Sequence, residues 1–255
     1  DHLWAKRYDY STEDLFQAQD KLCANVVVEL DTAIATGEPM QIGLGSDSAE
    51  ATRHLQYSLI HLFRYDREGL AIGQRSGDAA IAADPNYLAA LSSTASARVI
   101  RAMCGWATDP ETLIDEARAL RARAADIDPD YPLGFLAEGF IDLACGDYDA
   151  AVETCGRAAD RDPSLAALRH VYARTLIAVG RYDEAYREAR TAISLQPSTL
   201  GIFLASLGIS CLLAGRVGDA VLVLMKFREL MPQSAYLHPL AAAALVADGQ
   251  NDAAR

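Results

Sequence analysis

Basic residues are in short supply: 23 Lys and Arg stand against 35 Asp and Glu, a formal net charge of −12. A polyanion such as nucleic acid would be repelled at long range and is not expected as a partner. No apolar run approaches the roughly 20 residues that a membrane-spanning helix needs, so membrane insertion by this segment is not expected either. There is no C-x-x-C pair, and the five cysteines, Cys23, Cys104, Cys145, Cys155 and Cys211, are odd in number and far apart. That argues against a disulfide framework and a structural zinc site, and it fits a reducing, cytoplasmic compartment. Each thiol sits among Ala and Leu and reads as a small buried hydrophobe. The opening residues, Asp1-His2-Leu3-Trp4, show neither an initiator Met nor the basic-then-apolar order of a signal peptide; the chain is expected to begin partway through a longer protein. Of the 255 residues 51% are apolar and 23% charged, which is the composition of a folded domain with a core rather than of a disordered tail.

What organises the chain is a repeat. Pro129, Pro163, Pro197 and Pro232 stand 34, 34 and 35 residues apart. Gly146, Gly180, Gly215 and Gly249 recur at 34, 35 and 34, each before a short polar turn. A third series, Ala117, Ala151, Ala185 and Ala220, precedes each proline by 12 residues. Between a proline and the next glycine lie Ala- and Leu-rich stretches of helical character, 133–145, 164–179 and 198–214. Glycine closes each of these helices, because it takes a positive φ without a Cβ clash. A second helix then runs over about 149–159, 183–195 and 218–230 until proline stops it. The unit is a helix, a turn and an antiparallel helix, with an alanine small enough to let the pair approach closely. One such pair cannot bury its own apolar face, so the units are expected to stack.

These residues resemble the tetratricopeptide repeat (TPR) family. The positions that carry the likeness are Gly139, Gly146, Tyr148, Ala151, Ala158 and Pro163, then Tyr172, Ala173, Gly180, Tyr182, Ala185, Ala192 and Pro197, then Leu207, Gly208, Gly215, Ala220 and Pro232, with Val217 where Tyr is common. The resemblance implies an all-α, TPR-type α-solenoid, a right-handed superhelix of antiparallel helix pairs. The phase gives repeats over 132–165, 166–200 and 201–234, a copy with an insertion over 88–131, a divergent copy over 52–87 and a partial one over 235–255. Gly73, 12 residues before Pro85, holds the small position of the divergent copy, whose helices are expected near 49–64 and 68–83.

Ahead of the array, residues 1–48 read as a lead-in and a long N-terminal helix. Ser11 or Thr12 caps it, Glu13 and Asp14 favour its dipole, and Leu15, Leu22, Val26 and Leu30 form an apolar stripe over 12–35. The string Leu3-Trp4-Ala5-Lys6-Arg7-Tyr8-Asp9, with Asp14-Leu15-Phe16 and Gln19-Asp20, resembles the junction before the C-terminal TPR array of bacterial class III adenylate/guanylate cyclases of the TolB-like type and of some winged-helix regulators. That likeness implies a regulatory tail whose catalytic or DNA-binding domain lies upstream.

Chemistry is sparse. His54 and His61 fall seven apart on one helical face, yet neither H-E-x-x-H nor a nearby Cys completes a metal site. Gly43-Leu44-Gly45-Ser46 lacks the Lys-Ser/Thr ending of a phosphate loop and reads as a loop before a helix. Asp147 with Asp149, and Asp183 with Glu184, lie at helix starts and read as capping groups. Cys155 and His170 fall on different repeats, with no partner to orient them. No catalytic residue, metal or cofactor is therefore expected, and the chain is read as non-catalytic.

The groove is more informative. By the TPR resemblance its concave face falls on Leu133, Leu136, Phe140 and Leu143, on Ala167, His170, Arg174 and Ile177, and on Ile202, Ala205, Ile209 and Leu212. His170 and Arg174, four apart, are placed to meet a partner's carboxylate. The family members that clamp a carboxylate use Lys, Asn and Arg there, a pattern absent here. A mainly apolar groove needs cover, which makes it an interface. The expected occupant is a protein or peptide: an amphipathic helix, another segment of the parent protein, or a second copy of the chain in a homodimer.

Overall fold

The computed structural model of the chain describes residues 46–196, 200–232 and 238–249. Among the described residues the regular elements are eleven helices, with no strand. They are α1 (Ala49–Leu62), α2 (Arg67–Ala83), α3 (Leu88–Met103), α4 (Pro110–Ile127), α5 (Pro132–Cys145), α6 (Tyr148–Arg161), α7 (Ala166–Ala178), α8 (Tyr182–Leu195), α9 (Leu200–Leu213), α10 (Val217–Leu230) and α11 (His238–Ala247). The long helix read over residues 12–35 lies outside the described residues.

Local chemistry sets the ends. The side chains of Ser48, Asp66 and Asp109 accept hydrogen bonds from the amides of Ala51, Gly69 and Thr112, capping α1, α2 and α4, and each cap satisfies an amide that the helix leaves open. Pro110 and Pro132 stand in the first turns of α4 and α5, where the missing amide hydrogen does no harm. Gly146 closes α5 at φ 80°, a left-handed conformation that a side chain resists. The turn between α3 and α4, over 104–109, is wider than that between α5 and α6, and both α3 and α4 are longer than α5 and α6; Gly105 takes φ 68° within that turn.

Consecutive helices pair as α1–α2, α3–α4, α5–α6, α7–α8 and α9–α10. The first helix of one hairpin also packs on the first helix of the next: α3 on α5 and α5 on α7, and more lightly α7 on α9 and α1 on α3. Each second helix packs on the first helix of the following hairpin, as α2 does on α3 and α8 on α9, and α10 continues the pattern onto α11. Among the described residues the second helices make no comparable contact with one another. The first helices therefore form the tighter, inner layer and the second helices the splayed outer one. This is the TPR-type solenoid expected from the 34-residue rhythm.

Small residues make the close approaches. Ala117, Ala151, Ala185 and Ala220 are fully buried at 0% exposure. A Cβ at Gly73 would fall 2.6 Å from the Cδ2 of Leu62, so a larger residue where α2 crosses α1 would force that side chain aside. The core runs on from hairpin to hairpin: Leu91, Val99, Ala117, Phe140, Ala151, Cys155 and Val171, drawn from α3 to α7, belong to one cluster. Arg98 on α3 adds a polar tie, its guanidinium donating to Asp78 on α2 and Glu116 on α4, each at 2.7 Å.

Candidate interaction groove

The first helices present one face each to the inside of the curve. On α7 that face carries His170, Arg174 and Ile177, spaced four and three apart; on α9 it carries Ile202, Ala205, Ser206 and Ile209. These side chains meet around a cavity of about 380 Å³. Phe227 and Met231, at the end of α10, and Pro239 and Leu240, on α11, complete one wall. The remaining lining residue is Tyr65, from the turn between α1 and α2.

Tyr65 comes from the far end of the array. Its hydroxyl accepts a hydrogen bond from the Arg174 guanidinium, 109 residues away in sequence. Its ring is buried with Leu204, Ala205 and Phe227. Its backbone takes φ 50°, a positive value that no other described non-glycine residue shares. A bulky residue is held in that conformation only where its surroundings over-determine it. Arg174 also lies over the Phe140 ring, 5.2 Å from its centroid, which shields part of its charge in a cation–π contact.

His170 is buried within this face. Its Nδ1 lies 3.2 Å from the Ser206 hydroxyl, and its ring centroid lies 5.2 Å from that of Phe203. Burial, reinforced by the Arg174 charge, pushes its pKa down to about 3. It is a neutral hydrogen-bonding group at neutral pH, and Arg174 is the charged side chain among the lining residues. Nearby, burial pushes the Cys104 thiol up to about 11.

The twelve positions read from sequence as concave fall in four environments. His170, Arg174, Ile177, Ile202, Ala205 and Ile209 line the cavity. Phe140 touches it only through Arg174 and is otherwise core, as is Leu143, with Leu136 packed against the same cluster. Leu212 packs beside Cys211, Ala220 and Leu224. Leu133 and Ala167 are half-buried and are not among the lining residues. The sequence reading missed Tyr65, Ser206, Phe227, Met231, Pro239 and Leu240. For Tyr65 no local signal exists, because its partners, Arg174, Leu204, Ala205 and Phe227, all lie more than a hundred residues away in sequence.

The other candidates resolve as structural groups. His54 faces Glu50 at 3.8 Å, and His61 stacks edge-on against Tyr57 with centroids 4.5 Å apart. No group of three or more His, Cys, Asp or Glu among the described residues is arranged to hold a metal ion. Of the Gly43-Leu44-Gly45-Ser46 stretch only Ser46 is described; its hydroxyl donates to Asp84. Capping does not explain the acidic pairs as expected. Asp147 stands at the N-cap of α6 without a side-chain cap bond, and Asp149 follows in the first turn. Asp183 accepts from Arg216 at 2.9 Å and Glu184 takes both arms of Arg181 at 2.6 and 2.7 Å. These carboxylates lie at helix N-termini, where the dipole favours them without a cap bond. Cys155 and Cys211 are buried, but Cys104 is only half-buried and Cys145 is exposed. Cys145, the last residue of α5, accepts a hydrogen bond from Arg118, because a helix end lies at the array's rim and not between its layers. Cys155 packs with Val171 in the core, away from the Ser206 contact that holds His170.

Comparison with known proteins places these features. Residues 142–199 match the family model described as tetratricopeptide repeat. No curated protein matches the chain. Among solved structures, a thermophilic TPR protein of Thermus thermophilus superposes with a TM-score of 0.58 at 18% identity, over 77% of this chain and 99% of that one. PilW, a type IV pilus biogenesis factor, does so with 0.55 at 18% identity, over 80% of this chain and 88% of its own. The Cut9–Hcn1 complex of the APC/C gives 0.61 at 15% identity, covering 97% of this chain and 45% of the matched one. At these identities the likeness is one of fold. The family match and the stacked hairpins together support tetratricopeptide repeats in this chain.

Proposed function

We propose that the chain is a non-catalytic interaction module whose inner groove takes up an apolar segment of a protein or peptide partner. The observation that carries this reading is the cavity of about 380 Å³ between α7, α9, α10 and α11, lined mainly by aliphatic side chains. Its size is that of a binding pocket, and its few polar groups suit orientation rather than chemistry. His170 is tied to Ser206 and Arg174 to Tyr65 and Phe140, so neither is arranged as a nucleophile's base. TPR proteins in general mediate protein–protein interaction, and no described helix is long and apolar enough to cross a membrane.

A photo-crosslinking residue at Ile209 tests the groove in the native cells, with Leu222, 72% exposed on the outer helix α10, as the comparison site. Protein adducts should concentrate at Ile209. Adducts at Leu222 in equal yield would overturn the reading.

A finer reading rests on the resemblance of residues 3–20 to the cyclase junction. The array then serves as the regulatory tail of a class III cyclase-like protein and pairs with a second copy, which raises the effective concentration of catalytic domains that act in pairs. Light scattering at micromolar concentration should report a dimer. A monomer would remove self-association and leave the hetero-partner.

A further inference from the structure

The groove has a candidate occupant inside the same chain. Residues 12–35 carry the apolar stripe Leu15, Leu22, Val26 and Leu30, a pattern suited to lying along a trough of aliphatic side chains. Over the same span Glu13, Asp14, Asp20, Glu29 and Asp31 stand against a single Lys21, and Glu29, seven residues after Leu22, falls at the edge of the stripe. The charged side chain lining the cavity is the cation Arg174. An apolar stripe of this kind suits an apolar wall, and an acidic margin suits a site whose charged group is an arginine.

The linker is long enough. α1 has 14 residues, about 21 Å at 1.5 Å per residue, and it ends just before Tyr65, which already forms part of the cavity wall. The ten residues 36–45 span roughly 33–36 Å when extended, more than the length of α1. A segment so tethered meets the groove at an effective concentration in the millimolar range, which a free partner rarely matches.

We propose that residues 12–35 occupy the inner groove in the absence of a partner, so that the segment and the partner compete for one site. The proposal rests on the groove being the binding surface, as argued above. It makes partner binding a displacement, with apparent affinity reduced by the fraction of chains in which the segment is docked.

The test uses the purified full chain with a photo-crosslinking residue at Ile209 and the adduct mapped by mass spectrometry. The expected result is an internal crosslink from position 209 into residues 12–35 in a species of monomer mass, and none from position 222. Replacing Leu22 and Val26 by Asp, which leaves the array untouched, should cut that crosslink roughly tenfold or more. An adduct that falls elsewhere, or one that survives the double substitution, overturns the proposal. A crosslink joining two copies overturns it in favour of exchange between chains. Partner adducts at Ile209 in cells, with no internal crosslink in the purified chain, would remove the self-occupancy alone and leave the groove's role intact.

Discussion

Asp142 and His170 show how single side chains set the pH response of this fold. Asp142 lies in the last turn of α5, where burial first, then Glu138 and Asp147, push its pKa up to about 6. The folded chain therefore holds this proton more tightly than the unfolded chain does, and stability falls as pH rises from about 4 through 6. His170 works in the opposite sense. Its folded pKa of about 3 lies below the usual 6.5, so its contribution is present above that ordinary value and lost as pH falls toward 3. Asp142→Asn should raise the melting temperature at pH 7.5, leave it nearly unchanged at pH 4, and keep the acid limb that His170 supplies. Calorimetry at the two pH values checks this; an equal shift at both would show that Asp142 acts through something other than its charge.

At the scale of the helix pair, the decisive feature is how little lies between the helices. Ala185 on α8 is fully buried, and the close approach of α8 to α7 and α9 depends on its size. Ala185→Leu should destabilise by about 1–3 kcal/mol through overpacking. The same change at Ala178, the exposed last residue of α7, should stay within about 0.5 kcal/mol. Urea titration of both variants compares them directly. The alanine and glycine series were legible in the sequence because a 34-residue period can only be kept by positions that the stacking geometry constrains. Gly73 marks the same kind of close approach between α1 and α2, where a Cβ would force the Leu62 side chain aside.

Across the whole molecule, an ideal solenoid has contacts only between neighbours, and its two ends unfold without sensing each other. This one departs from that scheme. Tyr65, in the turn of the first hairpin, reaches Arg174 on α7 and packs with Leu204, Ala205 and Phe227 of the fifth hairpin. Such a tie is expected to couple the array's early and late parts into a more cooperative unit. Tyr65→Ala should lower amide hydrogen-exchange protection in α1 and α2 and also in α9 and α10. Loss confined to the first hairpin would mean that the contact transmits nothing.

The sequence by itself determined the unit, its period and its small contact residues, because helix starts, helix stops and close approaches are matters of nearby chemistry repeated in phase. It also marked His170, Arg174, Ile177, Ile202, Ala205 and Ile209, which share helical faces, and the structure sets them around one cavity. Only the tertiary structure decided that His170 is buried on Ser206, that Phe140 and Leu143 are given largely to the core, and that Tyr65 joins the wall from 109 residues away. The reason is physical: a repeat fixes the contacts between neighbours, whereas the small rotation added at each step, summed over several hairpins, fixes which distant residues finally meet.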